Sequence, residues 1–425
     1  MKKSLITLLI SLPLVTISCN EDDASSSVVE RNRRYDITLT RSQEEMANEN
    51  TKFAFSLFSK VNELETKEPN WIMSPLSASI ALSMTANGAD GNSQVQIKEV
   101  LGFNGFQMNE INSYYNYLCN ELIAVDNSAK FNFANSVWLD NDFKAYDSFV
   151  ETNKEMYDAE VTTLDLSKES ALKKINAWSA KKTENLIPVI LNNLPDNTMF
   201  CLLNSLYFRA EWDSWFKESR TVDETFTSAN GKQSQVKMMK KEDIKLYYKN
   251  ESFALAEFAF GNEAFSMVVL LPNEGCTLEE SLQKFTAKYW AEYLENRKGK
   301  IADLIISFPR FEVKYEADLV EAMKGLGITD IFDQNKANFS KMTPNNIFIN
   351  LLKQSSRIKV DERGCEAAVT TVVSGMLGSP YAEEVEFMDN ISIKWLPANI
   401  NNELVTEVKL TTAYGFDLTY SSSTI

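Results

Sequence analysis

Five cysteines and no histidine set the limits of the side-chain chemistry available to this 425-residue chain. Without an imidazole, the chain has no Ser-His-Asp or Cys-His nucleophile, no HExxH zinc site and no histidine general base. The cysteines after residue 19 form no CxxC pair and show no metal-site spacing, which also argues against a disulfide framework. We therefore predict a protein that is not an enzyme and that needs no cofactor.

The stretch from Val360 to Val373, VDERGCEAAVTTVV, has an order of side chains that no ordinary surface loop requires. In a strand its residues would lie alternately on two faces, and small residues followed by β-branched ones suit entry into a sheet. One face would hold Cys365, Ala367, Val369, Thr371 and Val373, and the other Glu366, Ala368, Thr370 and Val372. The order predicts a loop that can become a central strand, although a plain hairpin or edge strand explains it as well.

The charge balance excludes one large class of partners. Acidic residues outnumber basic ones by 59 to 43, which gives a net charge of −16. Nucleic-acid binding depends on clustered cations, so no nucleic-acid partner is expected, and no glycine-rich phosphate loop is present. Hydrophobic residues make up 44% of the chain, which is enough for a sizeable core.

Helix-like and strand-like stretches of hydrophobic periodicity are mixed along the chain and do not alternate regularly. Helical patterns are predicted within Thr51–Leu101, Glu110–Asp126, Asp147–Tyr157 and Lys168–Glu184. Strands are predicted at Phe131–Leu139, Met199–Phe208, Phe253–Phe260, Ser266–Leu271 and Asp303–Phe311. Cys201 lies in one of these apolar runs and is expected to pack as a small hydrophobic residue. The whole pattern is typical of one α+β domain.

From about Asn50 to Phe387 the sequence resembles the serpin family of serine protease inhibitors. The motifs that carry the resemblance are NTKFAF from Asn50, NWIMSPLS from Asn70, ANGADGNS from Ala86, LNSLYF from Leu203, FPRF from Phe308, and the stretch Glu362–Ala368. The resemblance implies an α+β serpin fold, with helices packed around a large central β-sheet, smaller sheets and an exposed reactive loop. We assign this domain to residues 43–425, with the loop at about 362–384.

The resemblance further implies a suicide-substrate inhibitor. A serine protease would attack a bond within Ser374–Tyr381 and form a covalent acyl-enzyme, after which Gly364–Val373 would insert into the main sheet as about 33 Å of new strand. The hinge of this movement is assigned to Glu362, Gly364, Cys365, Glu366, Ala367, Ala368 and Val369. Cys365 stands where the family usually has Thr or Ser, and like them it is small and neutral, as a hinge residue should be. The alternative interpretation is that Cys365 is a redox-sensitive thiol.

A polar cluster beneath the opening sheet, called the shutter, is assigned by the same resemblance. Its members are Ser74, Ser77, Asn204 and Gln354. Many serpins have histidine at the Gln354 position, and glutamine can also donate and accept hydrogen bonds. Ordinary hydrogen bonding within the core would account for these residues equally well.

The cleaved bond is harder to assign. The family spacing counted from Glu362 places it after Gly378, but glycine is a poor specificity residue. A shift to Leu377 or Met376 is therefore attractive; we favour Leu377, with Met376, Gly378 and Ser379 as the other candidates. Apolar residues suit elastase-, chymotrypsin- or subtilisin-like proteases and papain-like cysteine proteases. No Arg or Lys lies between Cys365 and Glu386, so trypsin-like targets are not expected.

The C-terminal segment 388–425 departs from the family pattern. After Asn390, serpins continue with a Pro-Phe pair and two very apolar strands, whereas this chain is more polar. Glu403–Leu410 and Tyr414–Tyr420 could still form alternating strands. The departure keeps open a second function, a non-inhibitory serpin-fold lipoprotein that binds or scaffolds and is cleaved as a simple substrate.

The N-terminus predicts export and lipidation. Two lysines precede an apolar run from Leu5 to Ile17, and Cys19 follows small residues as in a bacterial lipobox. We predict a signal peptide at 1–18, lipidation of Cys19, and a polar tether at 19–42. A simple secretory signal with an incidental cysteine is the alternative. The expected product is a monomer, anchored by lipid alone at the bacterial cell envelope, with the outer-membrane surface as one location.

Overall fold

The computed structural model describes residues 31–68, 70–227, 233–297, 300–378, 407–411 and 417–421. It divides into two compact units, Met1–Pro380 and Tyr381–Ile425. Eight of the predicted hinge and reactive-bond residues lie in the strand Gly364–Leu377 of the large sheet, and the four predicted shutter residues are described as well. Cys19 and Ser379 lie outside the described residues.

The helices of the described residues lie mainly in the first half of the chain. They are α1 (Arg41–Leu64), α2 (Pro75–Ala86), α3 (Gly91–Val100), α4 (Met108–Ala124), α5 (Asp147–Tyr157), α6 (Glu169–Lys182), α7 (Leu278–Lys284), α8 (Ala287–Asn296) and α9 (Val320–Leu326). Short 3-10 helices occur at Glu218–Arg220 and Asp330–Phe332. None of these helices is both long enough and apolar enough to cross a membrane.

The strands supply one large sheet, one smaller sheet and a separate hairpin. They are β1 (Lys130–Asp140), β2 (Ala159–Leu164), β3 (Thr198–Glu211), β4 (Val222–Thr227), β5 (Gln233–Lys249), β6 (Phe253–Phe260), β7 (Phe265–Pro272), β8 (Ile301–Pro309), β9 (Phe311–Asp318), β10 (Ile347–Val360), β11 (Gly364–Leu377), β12 (Glu407–Thr411) and β13 (Asp417–Ser421). The helices and strands predicted from periodicity correspond to observed elements, whereas β2, β4, β5, β9 and β10 were not predicted.

The large sheet has the order β2-β1-β3-β11-β10-β9. Its β11 is antiparallel to both neighbours, pairing with β3 from Gly364 to Met376 and with β10 from Cys365 to Leu377. The smaller sheet has the order β4-β5-β6-β7, and β8 pairs with β5. In the second unit, β12 and β13 form an antiparallel hairpin, close to the two strands predicted there.

The position of β11 differs from the expected exposed loop. The segment predicted to insert after cleavage is already a central strand, and it is 14 residues long rather than ten. β-Branched residues from Val369 to Val373 favour this extended state, and from Cys365 onwards the sheet gives each residue of the segment a partner strand on each side.

The two faces of β11 are covered by different parts of the core. Ala368 and Val372 pack in the cluster that contains Ile175 and Trp178 of α6. Cys365 and Val373 belong to the main hydrophobic cluster on the opposite side. This arrangement confirms the alternation predicted from the sequence, and it means that both faces of the strand are buried.

Candidate functional site: the inserted strand, its hinge and the shutter

Ser77 and Thr371 connect helix α2 with the middle of β11. The Ser77 hydroxyl donates to Oδ1 of Asn204 at 2.5 Å and lies 2.8 Å from Oγ1 of Thr371. Asn204 in turn donates from Nδ2 to Oδ1 of Asn135 at 2.8 Å. These side chains are buried, so each unpaired polar atom would carry a desolvation cost.

Gln354 completes this cluster from the other neighbouring strand. Its Nε2 donates to the Ser74 carbonyl at 3.0 Å and to Oγ1 of Thr371 at 2.9 Å, while its Oε1 accepts from the Ser74 amide at 2.7 Å. Ser74 also caps α2 by accepting from the Ser77 amide at 3.2 Å. The structure therefore brings the four predicted shutter residues together.

Sequence analysis missed the residue at the centre of the shutter, Thr371. It was assigned only to the strand pattern, although it is the one hydroxyl-bearing residue on the face shared with Cys365 and Val373. A polar residue on an otherwise apolar strand face is the signal that could have identified it.

The opposite face of β11 lies under α6. Ala368 and Val372 have no exposed surface, and Oγ1 of Thr370 lies 3.2 Å from Oγ of Ser205 and 3.3 Å from Oγ of Ser179. Little volume is left between the strand and the helix at these positions. Packing against α6 therefore explains why the predicted hinge has small side chains on this face, since a long or charged side chain would have to displace the helix.

Glu362 anchors the turn before β11. Its carboxylate accepts from Nη2 of Arg310 at 2.6 and 2.7 Å and from the Thr221 hydroxyl at 2.6 Å. Burial by itself raises the pKa of Glu362, but the hydrogen bonds from Arg310 and Thr221 outweigh it and hold the pKa below its usual value. The carboxylate is consequently charged at neutral pH in this arrangement.

Main-chain hydrogen bonds hold the same turn against the segment that follows β3. The Trp212 amide donates to the Arg363 carbonyl at 2.9 Å, and the Phe216 amide donates to the Glu362 carbonyl at 3.1 Å. The Trp212 indole donates to the Asp361 carbonyl at 2.9 Å. These bonds fix the turn that leads into β11.

Gly364 and Cys365 are the first residues of the inserted strand. A Cβ at Gly364 would lie 2.0 Å from the Ala210 carbonyl oxygen, so only glycine fits this close backbone approach. Cys365 is buried, and this burial, helped by the negative charges of Asp361 and Glu366, raises the pKa of its thiol to about 12. In this arrangement Cys365 is an inert core residue.

Glu366 makes the next polar contact of the hinge. Its Oε1 accepts from the Tyr207 hydroxyl at 2.6 Å. The pKa of Tyr207 is raised by burial and, in addition, by this hydrogen bond to the carboxylate. Ala367 and Val369 continue the strand, paired with Phe208 and Leu206 of β3.

The predicted cleavage sites lie at the opposite end of β11. Met376 pairs with Thr198 and Phe348, Leu377 pairs with Ile347, and the Gly378 amide donates to the Asn346 carbonyl at 2.9 Å. Leu377 is 42% exposed. Met376 and Leu377 thus belong to the strand rather than to an exposed loop.

The described residues contain no group of three or more Cys, Asp or Glu side chains that could hold a metal ion. The pKa of Cys119 and that of Cys201 are each raised to about 12 by burial, and Cys201 packs in the α6 cluster as expected for a small hydrophobic residue.

Comparison with known proteins identifies the fold. Residues 48–390 match the family described as "Serpin (serine protease inhibitor)". Similar proteins include Leukocyte elastase inhibitor of Equus caballus, 29% identical with 80% of this chain and 92% of the relative covered, and Alpha-1-antiproteinase of Mus saxicola, 31% identical with 79% and 81% covered.

Solved structures agree with this match. A thermophilic serpin, tengpin, in the latent state has a TM-score of 0.72 at 28% identity, covering 79% of this chain and 90% of that one. Reactive loop cleaved human thyroxine binding globulin has a TM-score of 0.74 at 25% identity, covering 79% and 99%. The family match spans well over half of the sequence and the central sheet has the same overall fold, so this chain belongs to the serpin family.

Proposed function

We propose that this protein is a suicide-substrate inhibitor of serine proteases with apolar specificity, such as elastase-, chymotrypsin- or subtilisin-like enzymes, and of papain-like cysteine proteases. The observation that carries the proposal is β11, which pairs with β3 from Gly364 to Met376 and with β10 from Cys365 to Leu377. The names of two relatives, Leukocyte elastase inhibitor and Alpha-1-antiproteinase, support protease inhibition in general.

The proposed reaction uses the chemistry of the protease. The hydroxyl or thiol of the protease attacks the carbonyl carbon of Leu377, the Leu377–Gly378 bond breaks, and Gly378 leaves with a new amino group. The carbonyl of Leu377 is now bound to the protease as an ester of its serine or a thioester of its cysteine. Insertion of Gly364–Leu377 then competes with hydrolysis of this acyl-enzyme, and the inhibitor succeeds when insertion is faster.

Formation of β11 supplies the driving force. Each new ladder hydrogen bond contributes roughly 0.5–1.5 kcal/mol net, and β11 acquires a ladder on both edges. Burial of Ala368, Val372 and Val373 adds to this gain. The strand carries Leu377 away from Gly364 by thirteen residue steps of ~3.3 Å, or about 43 Å, so an attached protease must move with it.

A second function is favoured by the C-terminal segment. The family match ends at residue 390, and the sequence of the following 35 of the 425 residues is more polar than the two apolar strands expected of a serpin. If such strands are needed to keep the reactive loop outside the large sheet before cleavage (the loop-expelled state), the protein would be cleaved as an ordinary substrate. It would then serve as a binding or scaffold protein.

The distinguishing experiment mixes the full chain with elastase, chymotrypsin, subtilisin and papain, with trypsin as the control. We expect a band of the summed mass on a denaturing gel, and mass spectrometry of the released C-terminal peptide should place the cleavage after Leu377. Complete cleavage within 374–381 without any covalent adduct would reject inhibition in favour of the second function.

We also propose that Cys19 is lipidated and anchors the protein at the bacterial cell envelope. Support comes from the N-terminal sequence, in which an apolar run ends in small residues before Cys19. The mass of the N-terminal peptide from membrane fractions should include the lipid. A soluble product with an unmodified Cys19 would reject the anchor.

A further inference from the structure

The first described residues, which we call the strap (residues 31–40), are fixed to the surface of the serpin domain. The Asn32 amide donates to Oδ1 of Asn127 at 2.9 Å, and the Asn127 amide donates back to Oδ1 of Asn32 at 3.0 Å. Nδ2 of Asn32 donates to the Val125 carbonyl at 3.2 Å. Further along the strap, the Tyr117 hydroxyl donates to the Thr38 carbonyl at 2.8 Å.

The strap begins beside the hinge. Nη1 of Arg31 donates to the Gly261 carbonyl at 2.8 Å, and the Gly261 amide donates to the Glu211 carbonyl at 3.0 Å. Glu211 is the residue of β3 that pairs with Gly364 at the start of β11. A short series of hydrogen bonds therefore joins the start of the strap to the hinge end of the large sheet.

The turn that links them is well held. Gly261 has a φ of +49°, and a Cβ there would lie 2.0 Å from Oδ2 of Asp126. That carboxylate accepts from the Asn262 amide at 3.0 Å, and the Asn262 side chain donates to Oδ1 of Asn32 at 3.0 Å. The start of the strap therefore contacts the domain at a well-defined turn around Gly261 and Asn262.

Two poles of the domain can now be defined. The hinge pole contains Gly261 and Gly364, and the far pole contains Leu377 and Gly378. The poles are separated by the length of β11, about 43 Å at ~3.3 Å per residue step. The strap starts at the hinge pole.

The covalent distance to Cys19 limits where a lipid can lie. Cys19 precedes Arg31 by 12 residues, which span at most about 43 Å when fully extended. The membrane surface must therefore lie within this reach of the hinge pole. A lipid on Cys19 could approach the far pole only if the intervening chain were stretched along the entire sheet.

Net charge opposes close approach of the domain to the membrane. The chain has a net charge of −16, so an anionic leaflet repels the domain as a whole. The repulsion acts within about one Debye length, ~8 Å at physiological ionic strength. The attachment point is then the feature that decides which pole faces the bilayer.

We propose that lipidated Cys19 holds the hinge pole of this protein towards the phospholipid surface, so that strand insertion presents Leu377 at the pole facing away from it. The statement about orientation rests on the proposed lipidation. Its consequence, that a trapped protease is carried away from the membrane, rests on the proposed inhibition. Before cleavage, by contrast, the Leu377–Gly378 bond would lie in a loop that leaves the domain after Glu362, at the hinge pole.

Energy transfer from the protein to labelled lipid tests the orientation. Full-length lipidated protein with Cys276→Ser is placed in phosphatidylethanolamine–phosphatidylglycerol vesicles that contain a rhodamine-headgroup acceptor. A donor dye is attached either to Glu218→Cys, exposed near the hinge pole, or to Gln334→Cys, exposed at the far pole, where the Gln334 carbonyl accepts from Asn346. Cys201 is buried, whereas Cys119 is partly exposed and Cys365 is buried only while β11 lies in the sheet. The labelled proteins therefore also carry Cys119→Ser and Cys365→Ser.

We expect at least twofold greater transfer efficiency from position 218 than from position 334. Asn32→Ala removes the central contacts of the strap and should reduce this difference, whereas Asn296→Ala, an exposed asparagine on α8, should leave it unchanged. Equal or greater transfer from position 334 would overturn the proposal. So would an intact mass without lipid.

The same vesicles separate this inference from the proposed function. Elastase carrying the donor dye is added to unlabelled protein, and covalent complex is measured on a denaturing gel. If the orientation is as expected but no adduct forms, inhibition fails while the anchoring geometry stands. If an adduct forms and its donor transfers energy as strongly as position 218 does, inhibition stands and the orientation is wrong.

Discussion

Nε2 of Gln354 donates a 2.9 Å hydrogen bond to Oγ1 of Thr371, which joins the neighbouring strands β10 and β11 of the large sheet. Ser77 of α2 approaches the same hydroxyl at 2.8 Å. The shutter is therefore completed by a residue of β11. Its polar atoms are satisfied when Thr371 is in place, and they must find other partners when it is not.

Thr371→Val should destabilise the inserted form by about 1–3 kcal/mol, because the isosteric change leaves Gln354 and Ser77 without their shared partner. Urea unfolding of the purified protein measures this difference. Thr227→Val, at an exposed position of β4, is the matched control and should change the unfolding free energy by less than about 0.5 kcal/mol. Equal effects of the two changes would show that the shutter contact contributes nothing.

Ala368→Asp should convert the protein from an inhibitor into a substrate. Ala368 is fully buried against the α6 cluster, and insertion would bury the new carboxylate without a partner. We expect the yield of covalent complex to fall at least tenfold while cleavage of the loop continues, as measured on denaturing gels against elastase. Glu366→Gln on the same strand is the control and should retain most of the complex, since its amide oxygen can still accept from Tyr207.

The contribution of Glu362 should depend on pH. Because its pKa is lower in the folded protein than in the unfolded chain, this carboxylate stabilises the folded state fully above the unfolded value of about 4.3. The stabilisation is lost as pH falls through the folded pKa.

Glu362→Gln should thus cost about 1–2 kcal/mol at pH 7 and less at pH 3, which lies below the unfolded pKa. Urea unfolding of both proteins at the two pH values gives the difference directly, with Glu218→Gln as an exposed control. A difference that stays the same at pH 3 would mean that the charge of Glu362 is unimportant to its contacts with Arg310 and Thr221.

Cys365 should report whether the strand is inserted. Its thiol is 6% exposed and its pKa is raised to about 12, so iodoacetamide at pH 8 should modify it much more slowly than the partly exposed Cys276. In a loop-expelled preparation we expect the rate at Cys365 to rise at least tenfold. Peptide mass spectrometry over time measures both rates, and identical labelling of Cys365 in the two preparations would contradict its burial by insertion.

Local sequence patterns predicted much of the helical and apolar structure. Phe253–Phe260 was predicted with the observed bounds of β6, because its aromatic and apolar residues match a buried strand. The strands β4 and β5 were missed, since sequences such as Gln233–Lys249 are rich in lysine and their pairing depends on a distant partner, β8. Long-range pairing of this kind leaves little trace in local periodicity.

In the candidate site, too, the residues were predictable from the sequence but their long-range contacts were not. Ser74, Ser77, Asn204 and Gln354 were assigned together by resemblance, but their shared contact with Thr371 and the link from Asn204 to Asn135 required the assembled sheet. The anchoring of Glu362 by Arg310 and Thr221 likewise joins residues that lie 52 and 141 positions away in the chain.

The amino-acid sequence alone indicates that Gly364–Val373 can exist as a strand, because small residues followed by β-branched ones suit an extended chain. It also excludes histidine chemistry. The folded domain was needed to show that this strand lies between β3 and β10, that it continues to Leu377, and that its hinge shares a pole with the strap. The reason is that strand order and the meeting of distant residues are set by packing of the whole sheet, which no local pattern encodes.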